Sequence, residues 1–135
     1  MWAWHIHHDT LCEPLLESIG ARIAYILTDK PLYERPTRLR LLKPIMGKLP
    51  EALVKAGDAW LAVINAPYQD YRKHQEALNA AAIAYVKEVR TARPALLALH
   101  GLECPDCPWN GYTIFPHRTS AANRGYTTFP TKNTP

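Results

Sequence analysis

Two stretches of the 135-residue chain hold most of the side chains that could do chemistry: His5-Ile-His7-His8-Asp9 near the start, and ECPDCPWNGYTIFP, Glu103 to Pro116, near the end. A Cys-x-x-Cys pair lets two thiolates reach one tetrahedral ion from a tight turn, and His or Cys from elsewhere completes the site. Cys104 and Cys107 supply half of such a set. His100 adds a local His-x3-Cys-x2-Cys arrangement. His5 and His7, on one face of an N-terminal strand, could arrive together as the other half and complete a structural zinc site. Pro108 stands where zinc knuckles of the C-P-x-C-G kind carry glycine; it fixes φ and removes an N–H that would support a thiolate. Two reduced thiols without a metal therefore stay open as the alternative. A thioredoxin-like role fits less well, because a redox pair of that kind opens a helix and this one follows a helix.

His5, His7, His8 and Asp9 also have the composition of a hydrolytic metal cluster, one that would activate water for a hydrolase or nuclease. The simpler account makes His5 and His7 strand residues facing solvent, packs His8 near the strand end and uses Asp9 as a helix cap. No nucleophile elbow or phosphate loop is present, and there are only six glycines. Arg38, Arg40, Lys43 and Lys48, preceded by Arg35, could contact phosphates of a nucleic acid without reading sequence. The same residues alternating with leucine also describe a half-buried strand. Tyr71 and Tyr85 belong to an aromatic and alanine seam over Asn65 to Val89; internal helix packing explains it, and a protein-binding or self-association surface competes, since Ala80 to Ala82 and Ala84 permit close helix approach.

The elements that must position these groups follow from hydrophobic periodicity. Trp2 to His8 alternates as a strand. The Thr10 to Glu13 spacing resembles a capping box, and Leu15, Leu16, Ile19, Ile23 and Ile26 recur at helical spacing, so a first helix is expected from Thr10 to Thr28, stopped by Pro31. Thr37 to Leu42 alternates and reads as a second strand, and Tyr112 to Phe115 as a third. From Pro50 to about Arg93 the period is helical, either as two antiparallel helices separated at Pro67 or as one kinked helix. Arg93-Pro94 is expected to restart the chain before a short helix ending at Gly101. From residue 117 onward the chain is rich in Ser, Thr, Asn and Pro and reads as a flexible tail.

A chain of this length, 47% hydrophobic and 21% charged, has the composition of one globular domain, here set at residues 1–116. Sixteen basic against twelve acidic residues give a net charge of +4, which permits a polyanionic partner without demanding one. No window approaches the roughly 18 apolar residues of a membrane span. No basic leader precedes an apolar run, and three cysteines suit a reducing compartment, so a cytoplasmic location is expected.

Three segments, WHIHHD, PLLESIGARIAYILTDKP and LHGLECPDCPWNGYTIF, together resemble a group of small proteins from phages and bacterial genomes. These share an HIHHD-like N-terminal strand, an Ala- and Tyr-rich helical middle and an ECPDCPW-G-TIF-like C-terminal segment. The resemblance implies architecture and brings no activity with it: two end segments that belong together, with a helical arm of variable length between them, and the host cytoplasm as location if the chain is phage-encoded. The resulting expectation is a helix-dominated α+β fold with a small antiparallel sheet, carrying a non-enzymatic binding or assembly function on its helical arm.

Overall fold

The computed structural model describes residues 1–117, so the tail expected beyond Pro116 lies, apart from His117, outside the described residues. The fold is α+β and helix-dominated, as the patterning predicts. Strands β1 (Trp2–Trp4), β2 (Cys12–Pro14) and β3 (Lys43–Pro44) form a three-stranded antiparallel sheet in the order β2-β1-β3, with Ala3 opposite Pro44 and Trp4 opposite Lys43. The helices are α1 (Ile19–Asp29), α2 (Arg35–Leu41), α3 (Glu51–Asn65) and α4 (Tyr71–Glu103), with a 3-10 turn at Leu32–Glu34. No helix among the described residues is long and apolar enough to cross a membrane.

Several elements differ from the expectation, each for a local reason. β1 ends at Trp4 because His5 adopts a left-handed φ of 52°, which turns the chain; His5 N–H donates to Leu11 O at 3.0 Å, and Thr10 N–H to His7 O at 3.3 Å. The residues after this turn pair back as β2, with Leu15 N–H reaching Met1 O at 2.7 Å, and Pro14 is tolerated because β2 is an edge strand. The first helix therefore starts at Ile19, not Thr10, where the Ser18 hydroxyl accepts from Ala21 N–H at 3.0 Å as its N-cap.

With Leu42 as its C-cap, Thr37 to Leu41 is helical rather than extended. Its apparent alternation is short enough to fit either period, and burial follows the helical one: Glu34, Arg38 and Leu41 face inward while Arg40 is exposed. Tyr112 to Phe115 is not a strand. The Asn110 side chain accepts from Tyr112 N–H at 2.9 Å and Thr113 N–H at 3.0 Å, and Gly111 takes φ 103°, so the segment is a tight loop. It still ties the two sequence ends together, since Ile114 N–H donates to His8 O at 2.9 Å. The helical region breaks at Pro67 into a hairpin, and Asp70 caps the second helix by accepting from Lys73 N–H at 3.2 Å. That helix runs through Pro94, which sits on the exposed face, and continues to Glu103 instead of restarting at Arg93.

The chain divides into two compact units. One comprises Met1–Trp2, Pro14–Leu16 and Ile45–Pro105. It contains the α3–α4 hairpin, where Tyr85 stacks on Trp60 at 5.0 Å and meets the Trp2 ring at 6.2 Å. At the far end of α4 the Glu103 carboxylate accepts from Met46 N–H at 3.0 Å and Gly47 N–H at 2.6 Å, which fixes the loop entering α3. Gly57 lets the helix meet Trp2: a Cβ there would lie 2.5 Å from Trp2 Cζ2. Gly57→Ala is accordingly expected to cost about 1–3 kcal/mol through overpacking, although alanine favours a helix over glycine by about 1 kcal/mol. A thermal melt with an unchanged or higher midpoint would contradict that close packing.

The other unit comprises Ala3–Glu13, Glu17–Pro44 and, of the described residues at the C-terminal side, 106–117. Its buried side chains include Trp4, Ile6, Leu11, Ile26, Leu41, Leu42 and Ile114. Two arginines are built into it. Arg22 donates through Nη2 to Ile6 O at 2.7 Å, and Arg38 pairs with Glu34 at 2.7 and 2.8 Å while its guanidinium lies 5.3 Å from the Phe115 ring centre.

Candidate metal centre

The C-terminal turn of α4 supplies the first pair of donors. His100 and Cys104 are four residues apart, hence on one helical face, and that face is the buried one, continuing from Ala92 and Leu96. Cys104 N–H still donates to His100 O at 2.8 Å, which holds this last turn closed. Pro105 then prevents further helix, and the two-residue turn Pro105-Asp106 delivers Cys107.

His5 supplies the second pairing. The left-handed turn that ends β1 places its Nδ1 3.3 Å from Thr10 O and its Nε2 3.2 Å from Cys107 Sγ. A carbonyl oxygen can only accept, so the proton resides on Nδ1 and Nε2 presents its lone pair toward the thiol. Carbonyl support of this kind fixes the tautomer and ring orientation of a metal-binding histidine. The Trp109 ring, 5.3 Å from the imidazole, covers it.

The ligand atoms of His5, His100, Cys104 and Cys107 all lie within 4.8 Å of one another. Three of the four residues are buried and Cys107 is half-buried. In a tetrahedral zinc site with Zn–S near 2.3 Å and Zn–N near 2.0–2.1 Å, donor atoms stand about 3.3–3.8 Å apart. The group can hold a metal ion, and its two imidazoles and two thiols match the donor set of structural zinc. It is also the one group of three or more His, Cys, Asp or Glu donors converging in this way among the described residues.

Of the five residues singled out for a metal, His5, His100, Cys104 and Cys107 are brought together, and His7 is not. Its Nδ1 lies 2.6 Å from Glu13 Oε2 at the surface. The reason is the turn at His5: with β1 ending at Trp4, residues 5 and 7 no longer share a strand face. His8 is directed to the Thr113 hydroxyl at 3.1 Å, with its ring 6.1 Å from Phe115, and the exposed Asp9 carboxylate accepts from the Thr10 hydroxyl at 3.4 Å. His5, His7, His8 and Asp9 thus do not converge on one point: His5 faces Cys107, His7 Glu13, His8 Thr113 and Asp9 Thr10.

The third cysteine is chemically distinct. Burial, reinforced by the nearby Glu13 carboxylate, pushes the Cys12 thiol up to about 12, so at neutral pH it stays protonated and is a poor metal ligand.

The polyanion and interaction residues are placed differently from the expectation. Arg38 is buried against Glu34, whereas Arg40 and Lys48 are exposed, and Lys43 is half-buried in β3. A helix, not a strand, carries Arg38 and Arg40, so they do not share a face. Tyr85 is an internal packing residue between Trp60 and Trp2. Tyr71 is exposed at the start of α4, 6.4 Å from Tyr68, which stacks on His74. Burial also depresses Lys30, and the neighbouring Arg38 and Arg22 lower it further. On the outward face of α4, within the segment read as a seam, Ile83 and Val86 are exposed. No family model, no curated protein and no solved structure matches the chain, so its functional reading rests on its own residues.

Proposed function

We propose that this protein is a non-enzymatic binding or assembly module in which a structural zinc ion, held by His5, His100, Cys104 and Cys107, fastens the N-terminal hairpin to the turn that ends α4, and the α3–α4 arm presents the interaction surface. The closed donor set carries this reading. Four protein ligands fill a tetrahedral ion and leave no position for water or substrate, whereas catalytic zinc keeps one open. The α4 arm supports the second half of the proposal: 33 residues long, it exposes Tyr71, Ile83, Val86 and Leu97 along a helix whose opposite face is already packed.

Metal analysis of protein purified without chelator tests the first half, with one zinc per chain expected, retained by the native protein and released on unfolding. X-ray absorption should find two sulfur and two nitrogen neighbours. An oxygen neighbour in place of one protein ligand, or zinc that washes out of the native protein, would overturn the structural role. For the arm, substitutions at exposed α4 positions should change association without shifting the melting temperature; a strict monomer with no recoverable partner would count against it.

A further inference from the structure

The outward face of α4 has an internal symmetry that names its partner. Ile83, 72% exposed, lies at the centre, and Val86, 45% exposed, follows one turn later. A groove of ≈ 520 Å³ beside them is lined by Ala82, Ile83, Val86, Lys87, Arg90 and Thr91. Seven residues before Ile83 stands Glu76, and seven after stands Arg90, both exposed. Two helical turns separate each from the centre, so all three share one face. Ala80 and Val86 occupy the intermediate positions at equal distances on either side.

We infer that this stripe is a self-association surface on which α4 pairs antiparallel with α4 of a second copy, about a two-fold axis at Ile83. Antiparallel pairing sets each residue opposite the one equally far beyond the centre: Ile83 meets Ile83, Ala80 meets Val86, and Glu76 meets Arg90 twice by symmetry. The small Ala80 and Ala84 side chains let the helices approach closely. The next positions out, Lys73 and Arg93, would place like charges opposite one another. They confine the seam to about two heptads and disfavour longer overlap. A seam of that length belongs to the small class of interfaces, so the dimer is weak and concentration-dependent. This inference rests on the arm being the interaction surface and adds what it binds.

Sedimentation equilibrium of the full-length chain, from low to several hundred micromolar, tests it. The mass should move from one chain to two. Ile83→Glu should remain monomeric at every concentration. Glu76→Arg and Arg90→Glu should each weaken the dimer about tenfold, because each reversal turns two attractive surface pairs into repulsive ones. The double variant Glu76→Arg/Arg90→Glu should restore the wild-type affinity. All these positions are exposed, and unchanged circular dichroism melts will confirm that folding is intact. A wild-type monomer throughout overturns self-association and leaves the arm open to another partner. A dimer indifferent to Ile83→Glu but broken by Leu32→Glu, whose position precedes α2 and is 75% exposed, overturns both this inference and the arm reading.

Discussion

Cys104→Ser is expected to abolish stoichiometric zinc binding and to destabilise the protein in a zinc-dependent manner. Cys104 is buried at the end of α4 and belongs to the convergent donor set, so the substitution removes one ligand and leaves a hydroxyl that does not replace a thiolate. An ion bound only by the folded state stabilises that state by mass action. With free zinc about 1,000-fold above the wild-type dissociation constant, the metal contributes about 4 kcal/mol, and that is the difference expected between wild type and Cys104→Ser. The gap should close when both proteins are measured in strong chelator. Two controls separate ligation from general disruption. Cys12→Ala should keep its zinc, because the Cys12 thiol is held protonated in the core, and His7→Ala should keep it because His7 is engaged with Glu13. Full zinc occupancy in Cys104→Ser, or an equal loss in His7→Ala, would mean that the ion, if any, sits elsewhere.

Arg38→Ala should destabilise the protein by about 3–5 kcal/mol, independently of zinc. Glu34 is 2% exposed and Arg38 5%, and the carboxylate takes two contacts from the guanidinium at 2.7 and 2.8 Å. Removing Arg38 leaves a buried carboxylate without its main counter-charge, and it also strips the cation from the face of Phe115. Replacing both partners by methionine should cost much less than the single change, since the penalty arises from the orphaned charge and not from the absence of the pair. Urea unfolding of the three variants decides it. A single variant as stable as wild type would show that water reaches Glu34, and a double variant as unstable as the single one would assign the loss to packing. The same measurement bears on nucleic-acid binding, because an arginine committed to Glu34 inside the fold is not available to a phosphate.

Legibility in the sequence followed the length of each pattern. The long helical region over Pro50 to Arg93 was clear, since apolar residues repeat over many turns and only Pro67 interrupts them. The element at Thr37 to Leu42 was misread because five alternating positions fit a strand and one and a half turns of helix equally well; the buried Glu34–Arg38 pair, four residues apart, is what selects the helix. Pro94 was expected to end a helix. It does not, because its ring lies on the exposed face while Ala92 and Leu96 on the other face remain packed. The segment Tyr112 to Phe115, expected as a third strand, is not one because the Asn110 side chain captures the N–H groups that a ladder would need.

The sequence by itself determined the helix-dominated α+β class with a small antiparallel sheet. It also singled out Cys104 and Cys107 by their spacing and His100 by its place one helical turn earlier, three of the four residues of the group that could hold a metal ion. Only the tertiary structure chose between His5 and His7. Strand alternation treats residues i and i+2 as equivalent, and that equivalence fails when a single residue enters the left-handed region. At His5 it does so, and the same turn that removes His7 to the surface directs the His5 imidazole toward Cys107 with its proton committed to Thr10.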